Sequence, residues 1–194
     1  MNDTLLYIFV SALVINNFTL AYFLGLCPFF GVSGRLTTAL RLGLATIFVM
    51  VITSLCASLL NTFVLPYAPY LRLISFIVVI ASTVQFVEMV IKKTSPVLFR
   101  ALGIYLPLIT TNCAILALAL FQTSREYSLV QGVVFSLGAG GGFTLALVLM
   151  AGLRERAEVA SVPAVMKGTA LTMIIAGLLS LSFMGFAGLF SAGG

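Results

Sequence analysis

Six long runs of apolar residues alternate with short segments that carry nearly all of the charged side chains. Each run has the length of about 20 residues that an α-helix needs to cross the hydrocarbon core of a bilayer. The predicted spans are Leu5–Leu24, Thr38–Leu60, Tyr70–Ile91, Leu98–Phe121, Leu129–Leu153 and Lys167–Phe190. We therefore predict an all-α integral membrane protein in which residues 1–194 form a single membrane domain with six transmembrane helices.

The shortage of charge excludes a soluble fold. Charged residues make up 8% of the chain and hydrophobic residues 61%, whereas a soluble domain carries about 25% charged residues. The chain contains no histidine, which excludes haem or zinc sites with His ligands and catalytic pairs of Ser-His or Cys-His type. We expect no complete active site on this chain alone.

The distribution of Lys and Arg predicts the orientation of the spans. Eight of the ten cations fall in or beside the loops after spans one, three and five: Arg35, Arg41, Lys92, Lys93, Arg100, Arg154, Arg156 and Lys167. Only Arg72 and Arg125 lie on the other side. The positive-inside rule places the richer loops in the cytoplasm and both termini outside it. Because the cations do not form one basic stripe, no nucleic-acid partner is predicted.

An internal repeat appears when the chain is compared with itself at an offset of 95 residues. The offset superposes Asn16-Asn17 on Thr111-Asn112, Gly43 on Gly138, Phe48 on Phe143 and Met89 on Met184. Repeat one covers about residues 5–93 and repeat two about 98–190. Since each repeat contains an odd number of spans, the second must enter the membrane from the opposite side. The sequence thus predicts two inverted three-helix repeats, as in many transporters.

Polar residues interrupt the first span of each repeat. They are Asn16 and Asn17 in one, and Thr110, Thr111 and Asn112 in the other. Amide side chains in transmembrane helix bundles often only form hydrogen bonds between helices. Polar breaks at equivalent positions also suit half-helices whose freed backbone groups line an ion path. Both interpretations stay open from the residues alone.

Three cysteines have different surroundings. Cys56 lies inside an apolar span and is expected to be core packing. Cys27 lies between Gly25 and Pro28, and Cys113 follows the polar break of span four. Two thiolates on interrupted backbone could ligate a metal if a second chain supplied further ligands, or they could be inert. Straight helices would place them at different depths, so shared ligation requires broken helices.

Three further features have plain structural interpretations. The segment Gly138–Gly142 lacks the Lys of a phosphate loop and is predicted to allow close approach of helices. Glu88 precedes Lys92 by four residues and is expected to form an ion pair on the helix surface. Arg154-Glu155-Arg156 is expected to be a solvated anchor.

Several motifs together resemble a known family. They are Asn16-Asn17-Phe18, Phe23-Leu24-Gly25-Leu26-Cys27-Pro28-Phe29, Lys93-Thr94-Ser95-Pro96-Val97-Leu98, Leu102 to Ala114 and Leu153-Arg154-Glu155-Arg156. Over nearly its whole length the chain resembles the A subunits of Rnf electron-transport complexes. It is also similar to the E subunits of sodium-translocating NADH:quinone oxidoreductases.

The resemblance implies a membrane protein that pairs with a homologous six-span partner of the kind represented by the Rnf E subunits. Together the two would hold one [2Fe–2S] cluster, with Cys27 and Cys113 as the ligands from this chain. The complex would lie in the bacterial inner membrane, with both termini of this chain in the periplasm. It would pass electrons between ferredoxin and NAD and couple this to sodium or proton transport, with flavins and other iron–sulfur clusters on other Rnf subunits.

Two alternatives of a different class remain. An inverted-repeat secondary transporter would bind its substrate at the two breaks and have inert cysteines. A purely structural assembly protein would tolerate replacement of both Cys27 and Cys113.

Overall fold

A computed structural model describes residues 2–63, 72–94, 109, 111–159 and 168–191. In these ranges every regular element is helical and no strand occurs, which confirms the all-α prediction. In chain order the helices are α1 (Asn2–Val10), a π-helical turn (Ser11–Ile15), α2 (Phe18–Ala21), α3 (Leu26–Val32), α4 (Leu36–Phe63), α5 (Arg72–Thr94), α6 (Cys113–Ser124), α7 (Leu129–Val159) and α8 (Thr169–Ser191).

Three of these helices are long and apolar enough to cross a membrane by themselves. They are α4, the part of α7 over Leu129–Ala157 and the part of α8 over Thr169–Phe186. Shorter apolar helical stretches occupy Leu5–Ile15, Leu73–Met89 and Cys113–Ser124. The presence of six transmembrane spans therefore stays a prediction, and the three long helices and three shorter stretches agree with it. Of the predicted site and loop residues, Arg100, Thr110 and Lys167 lie outside the described residues.

The first predicted span is a series of short helices. The Asn16 N–H donates to the Ser11 carbonyl at 2.7 Å, a bond over five residues that widens the backbone into the π-helical turn. The α-helix is then interrupted at Asn16 and Asn17 and resumes as α2. A second interruption precedes α3, where Phe23 and Gly25 both have positive φ, 55° and 80°. Gly25 adopts this conformation without the steric cost of a Cβ atom.

Helices α4 and α7 form the centre of the molecule. Gly43 on α4 lies against Thr144 on α7, whereas Gly140 on α7 lies against Ile47 on α4. Because the contacts on α7 move toward its start as those on α4 advance, the two helices run antiparallel. Antiparallel packing of helices from corresponding places in the two halves is what an inverted repeat requires.

The centre of this pair is fully buried and apolar, with Leu42, Met50, Phe143, Leu147 and Met150 all at 0% exposure. The glycines of α7 allow the close approach that the sequence predicted. A Cβ atom at Gly138 would lie 2.7 Å from the Phe9 carbonyl oxygen, and one at Gly142 would lie 2.6 Å from the Leu13 carbonyl oxygen.

Helices α5 and α8 lie at the outside of the bundle. α5 packs inward through Phe76, Ile80 and Val84, whereas large apolar side chains elsewhere on both helices are exposed, as suits contact with lipid or with other membrane proteins. The helices of the second half follow those of the first at nearly constant spacing, since α7 begins 93 positions after α4 and α8 begins 97 positions after α5. These values lie close to the offset of 95 found in the sequence.

Candidate functional site

The two polar breaks share one local geometry. Asn17 precedes α2 with φ −64° and ψ 117°, and its side chain accepts a hydrogen bond from the Thr19 N–H at 3.1 Å. Asn112 precedes α6 with φ −74° and ψ 114°, and its side chain accepts from the Ala114 N–H at 3.0 Å. Each asparagine thus caps a helix that begins directly after it, which is a favoured use of this residue.

The amide nitrogens of the two asparagines differ. Asn17 Nδ2 donates to the carbonyl oxygen of Gly142 at 2.7 Å and ties the first break to α7. Asn112 Nδ2 is buried and has no hydrogen-bond partner in the part of the chain that the structure describes. Buried polar groups are nearly always bonded, so an orphaned donor requires an explanation.

The segment that carries Cys27 comes into contact with Cys113. The backbone N–H of Gly25 donates to Cys113 Sγ across an N···S distance of 2.9 Å. A Cβ atom at Gly25 would lie 2.9 Å from Phe143, 3.1 Å from Asn112 Oδ1 and 3.3 Å from the Ala114 side chain. The contact therefore depends on glycine at this position, and the breaks in the first span are what bring the two segments together.

Both cysteines lie at the start of helices and are exposed on this chain. Cys27 is the second residue of α3, and Cys113 is the first residue of α6. By contrast, Cys56 is half-buried and accepts a hydrogen bond from Thr83 Oγ1 at 3.8 Å between α4 and α5.

This donor set fits a metal group that is completed by another chain. Thiolate sulfurs are the ligands of iron–sulfur clusters, and a [2Fe–2S] centre takes four of them. In the described ranges no three His, Cys, Asp or Glu side chains form a metal-binding group. The exposed sulfurs of Cys27 and Cys113 suit a site whose remaining ligands come from outside the chain.

A cavity of about 260 Å³ opens beside the first break. Asn16, Asn17 and Tyr22 line it from the broken span, and Ser180 and Phe183 line it from α8. Asn16 Nδ2 donates to Ser11 Oγ at 3.0 Å, and Ser180 Oγ donates to the Leu20 carbonyl at 2.6 Å. Side-chain polar groups thus support the interrupted backbone next to an accessible space. Of the predicted residues of the second break, Thr111 and Asn112 lie directly before α6, and Thr110 lies outside the described residues.

The end of α7 does more than the solvated anchor that the sequence predicted. Arg154 Nη1 donates to the Phe30 carbonyl at 3.1 Å and to Ser33 Oγ at 2.9 Å, and so caps the C-terminus of α3. Glu155 Oε1 accepts from the Leu36 N–H at 2.9 Å at the start of α4. Cationic and anionic side chains are favoured at these respective helix ends. α7 therefore fixes the helix that carries Cys27.

Gln122 is a buried polar residue that sequence reasoning missed. Its Nε2 donates to the Ser54 carbonyl at 3.1 Å and to Ser58 Oγ at 2.8 Å, which joins α6 to α4. A Cβ atom at Gly132 would lie 2.4 Å from Gln122 Nε2, so this glycine makes room for the amide. A single Gln in an apolar run gives no sequence signal for such a contact.

Comparison with known proteins agrees with this architecture. A profile of the family described as Rnf-Nqr subunit, membrane protein, matches residues 5–190. The chain is 57% identical over 187 residues to the A subunit of the ion-translocating oxidoreductase complex of Syntrophotalea carbinolica, covering 95% of this chain and 97% of that protein.

Proteins with the same name from two other bacteria are similar. The identity is 54% for Shigella flexneri, over 97% of this chain and 98% of the relative. It is 53% for Vibrio cholerae serotype O1, strain El Tor Inaba N16961, over 95% and 96%. The profile match and these identities show that the chain belongs to the Rnf-Nqr family of membrane subunits.

Proposed function

We propose that this chain is the A subunit of an ion-translocating ferredoxin:NAD oxidoreductase in the bacterial inner membrane. It relays electrons through a [2Fe–2S] cluster that it shares with a homologous six-span partner, and it couples this transfer to sodium or proton movement. The names of its relatives support a role in an ion-translocating oxidoreductase complex. The finer statements rest on the geometry of the two breaks.

The observation that carries the proposal is the 2.9 Å contact between the Gly25 N–H and Cys113 Sγ. It joins the segment before Cys27 to the start of α6, although the two cysteines are 86 positions apart. Both side chains remain exposed, so a partner protein can approach them. When bound, the cluster would supply one-electron transfer inside the membrane, and Cys27 and Cys113 would hold it from this side.

The chain's own residues also suggest how electron transfer is linked to an ion. A charge held at Cys27 and Cys113 interacts strongly with nearby groups, because the surroundings have a low dielectric constant. The half-helices that carry these cysteines begin directly after interrupted backbone, and the first break opens on the cavity at Asn16 and Ser180. A change of charge at the cysteines would shift the balance between arrangements of these half-helices and so alter access for a cation.

The test is a measurement of iron content and of the EPR spectrum on the complex purified with all of its membrane subunits. We expect Cys27→Ser and Cys113→Ser each to remove one [2Fe–2S] signal and the coupled electron transfer. Cys56→Ser is the matched control and should retain both the signal and the electron transfer. Cys56 lies between α4 and α5, away from the breaks. An unchanged iron content and spectrum in the Cys113→Ser complex would refute the proposal.

The cavity beside the first break favours one second function, that of an inverted-repeat secondary transporter with inert cysteines. In that case substitutions at Asn16 would impair uptake of a solute, and the complex would lose no iron when Cys27 or Cys113 is replaced. The same iron measurement therefore separates the two proposals.

A further inference from the structure

Asn112 has one more hydrogen-bonding group than its structural role requires. Capping α6 uses only Oδ1, which accepts from the Ala114 N–H at 3.0 Å. Serine, threonine or aspartate can cap a helix equally well, and none of them brings an amide nitrogen. The side chain is 5% exposed, and its Nδ2 has no acceptor among the described residues. A donor kept in so buried a place is costly unless something outside the described structure accepts from it.

The repeat supplies an internal reference for this feature. Asn17 caps α2 with the same geometry, but its Nδ2 donates to the Gly142 carbonyl at 2.7 Å. In the first repeat the spare donor therefore fixes two helices together. In the second repeat the equivalent donor belongs to the residue before Cys113 and has no partner among the residues that the structure describes.

Asn112 and the Cys113 sulfur both lie against Gly25. Asn112 directly precedes Cys113, and its Oδ1 is 3.1 Å from the position that a Gly25 Cβ atom would take. The N–H of that same Gly25 already donates to Cys113 Sγ at 2.9 Å. Nδ2 is bonded to the same carbon atom as Oδ1, so it belongs to this small group of Gly25, Asn112 and Cys113.

We propose that Asn112 is a positioning residue that donates a hydrogen bond from Nδ2 to the sulfur-bound group at Cys113, and that it raises the reduction potential of that group together with the Gly25 N–H. This inference rests on the proposed function, because it needs the [2Fe–2S] cluster. Hydrogen bonds to cluster sulfurs stabilise the added negative charge of the reduced state, which raises the potential. When bound, the group at Cys113 would supply one-electron transfer, and Asn112 would make and break no covalent bond and transfer no proton.

The experiment compares Asn112→Ser with Asn17→Ser in the complete membrane complex. Both variants keep an oxygen that can cap the helix and lose the amide nitrogen. The midpoint potential of the [2Fe–2S] signal is measured by EPR during a redox titration. We expect a shift to more negative potential in Asn112→Ser and no shift in Asn17→Ser, although Asn17→Ser loses a hydrogen bond that is made in the structure.

A second measurement separates a hydrogen bond to the cluster from a general disturbance. Electron–nuclear double resonance in H2O and D2O counts the exchangeable protons that couple to the reduced cluster. The Asn112→Ser complex should lack one such coupling that the parent and Asn17→Ser complexes retain. If Asn112→Ser fails to assemble, Asn112→Thr also keeps an oxygen that can cap the helix, loses the amide nitrogen and adds no charge, and it should shift the potential in the same direction.

The outcomes have distinct meanings. If the [2Fe–2S] signal of the parent complex is still present in the Cys113→Ser complex, the proposed function itself is refuted. A signal that depends on Cys113, but whose potential and proton couplings are the same in Asn112→Ser as in the parent, would overturn only the role of Asn112. Its donor would then be satisfied by a carbonyl group of the partner protein or by water.

Discussion

Asn17 Nδ2 donates to the Gly142 carbonyl oxygen at 2.7 Å, and both residues are buried. This bond joins the interruption of the first span to the middle of α7, on the other repeat. It forms because Gly142 has no side chain, since a Cβ atom there would lie 2.6 Å from the Leu13 carbonyl oxygen and 3.1 Å from Asn17 Nδ2. The position of the first break thus depends on a glycine 125 residues away.

Gly142→Ala should therefore destabilise the protein. Overpacking of a tightly packed core typically costs about 1–3 kcal/mol, and here the neighbouring atom is backbone, which cannot rotate away. Gly152→Ala is the matched control on the same helix, because a Cβ atom there meets nothing within 4 Å. Thermal unfolding of the purified complex in detergent measures both. Equal melting temperatures for the two variants would contradict the close approach of α7 to the first break.

Arg154→Gln should loosen α3, the helix that carries Cys27. The substitution removes a cation that donates to the Phe30 carbonyl and to Ser33 Oγ. Hydrogen bonds from charged groups contribute about 1.5–3 kcal/mol when buried. Arg154 is only half-buried, so solvent screening reduces the expected loss to about 1 kcal/mol.

The measurement for Arg154→Gln is thermal unfolding together with the rate at which a maleimide labels Cys27 in complexes depleted of iron. We expect a lower melting temperature and faster labelling. Arg156→Gln serves as the control, since Arg156 is exposed on the same helical turn of α7. The same effect in both variants would indicate a response to net charge and not to the contacts of Arg154.

Much of the fold follows from the sequence. A helix in a bilayer must satisfy its backbone hydrogen bonds internally, and its apolar segment must match the thickness of the hydrocarbon core. The predicted span Thr38–Leu60 lies within α4, and Leu129–Leu153 lies within α7. The offset of 95 residues also anticipated that Asn17 and Asn112 occupy equivalent places. Their shared capping geometry is a local property, which short sequence patterns can encode.

The candidate site was less predictable because it depends on contacts between distant segments. The sequence indicated only that Cys27 and Cys113 need broken helices to meet. Nothing in it specifies that the Gly25 N–H faces Cys113 Sγ. Arg154 looked like a solvated cation, since a charge at the end of a span has the same sequence pattern whether it faces water or caps another helix. Such partners are fixed by tertiary packing.

Gly25→Ala should disturb the contact between the two cysteine-bearing segments. Gly25 has a φ of 80°, where an L-residue with a Cβ atom costs about 1–2 kcal/mol, and that Cβ atom would lie 2.9 Å from Phe143. We expect a lower melting temperature and fewer [2Fe–2S] spins per complex in quantitative EPR. Gly34→Ala provides the comparison, because it lies just after α3 and a Cβ atom there has no neighbour within 4 Å. A full complement of spins in Gly25→Ala would mean that this N–H is dispensable for assembly of the proposed cluster.

The end of the bundle that holds Arg35, Arg154 and Arg156 should face the cytoplasm. These cations lie at one end of the bundle. The evidence is the hydrogen bond of 2.9 Å from the Leu36 N–H, next to Arg35, to Oε1 of Glu155, which lies between Arg154 and Arg156. The loop with Arg125 follows α6 and carries one of only two cations assigned to the other side. The positive-inside rule then directs the loop at Arg125 and both termini to the periplasm.

Fusions of alkaline phosphatase, which is active only in the periplasm, should be active after Arg125 and after Gly194 and inactive after Lys93. Fusions of green fluorescent protein at the same three sites should show the opposite pattern. Activity of the phosphatase after Lys93 would reverse the orientation and with it the direction of the proposed electron relay.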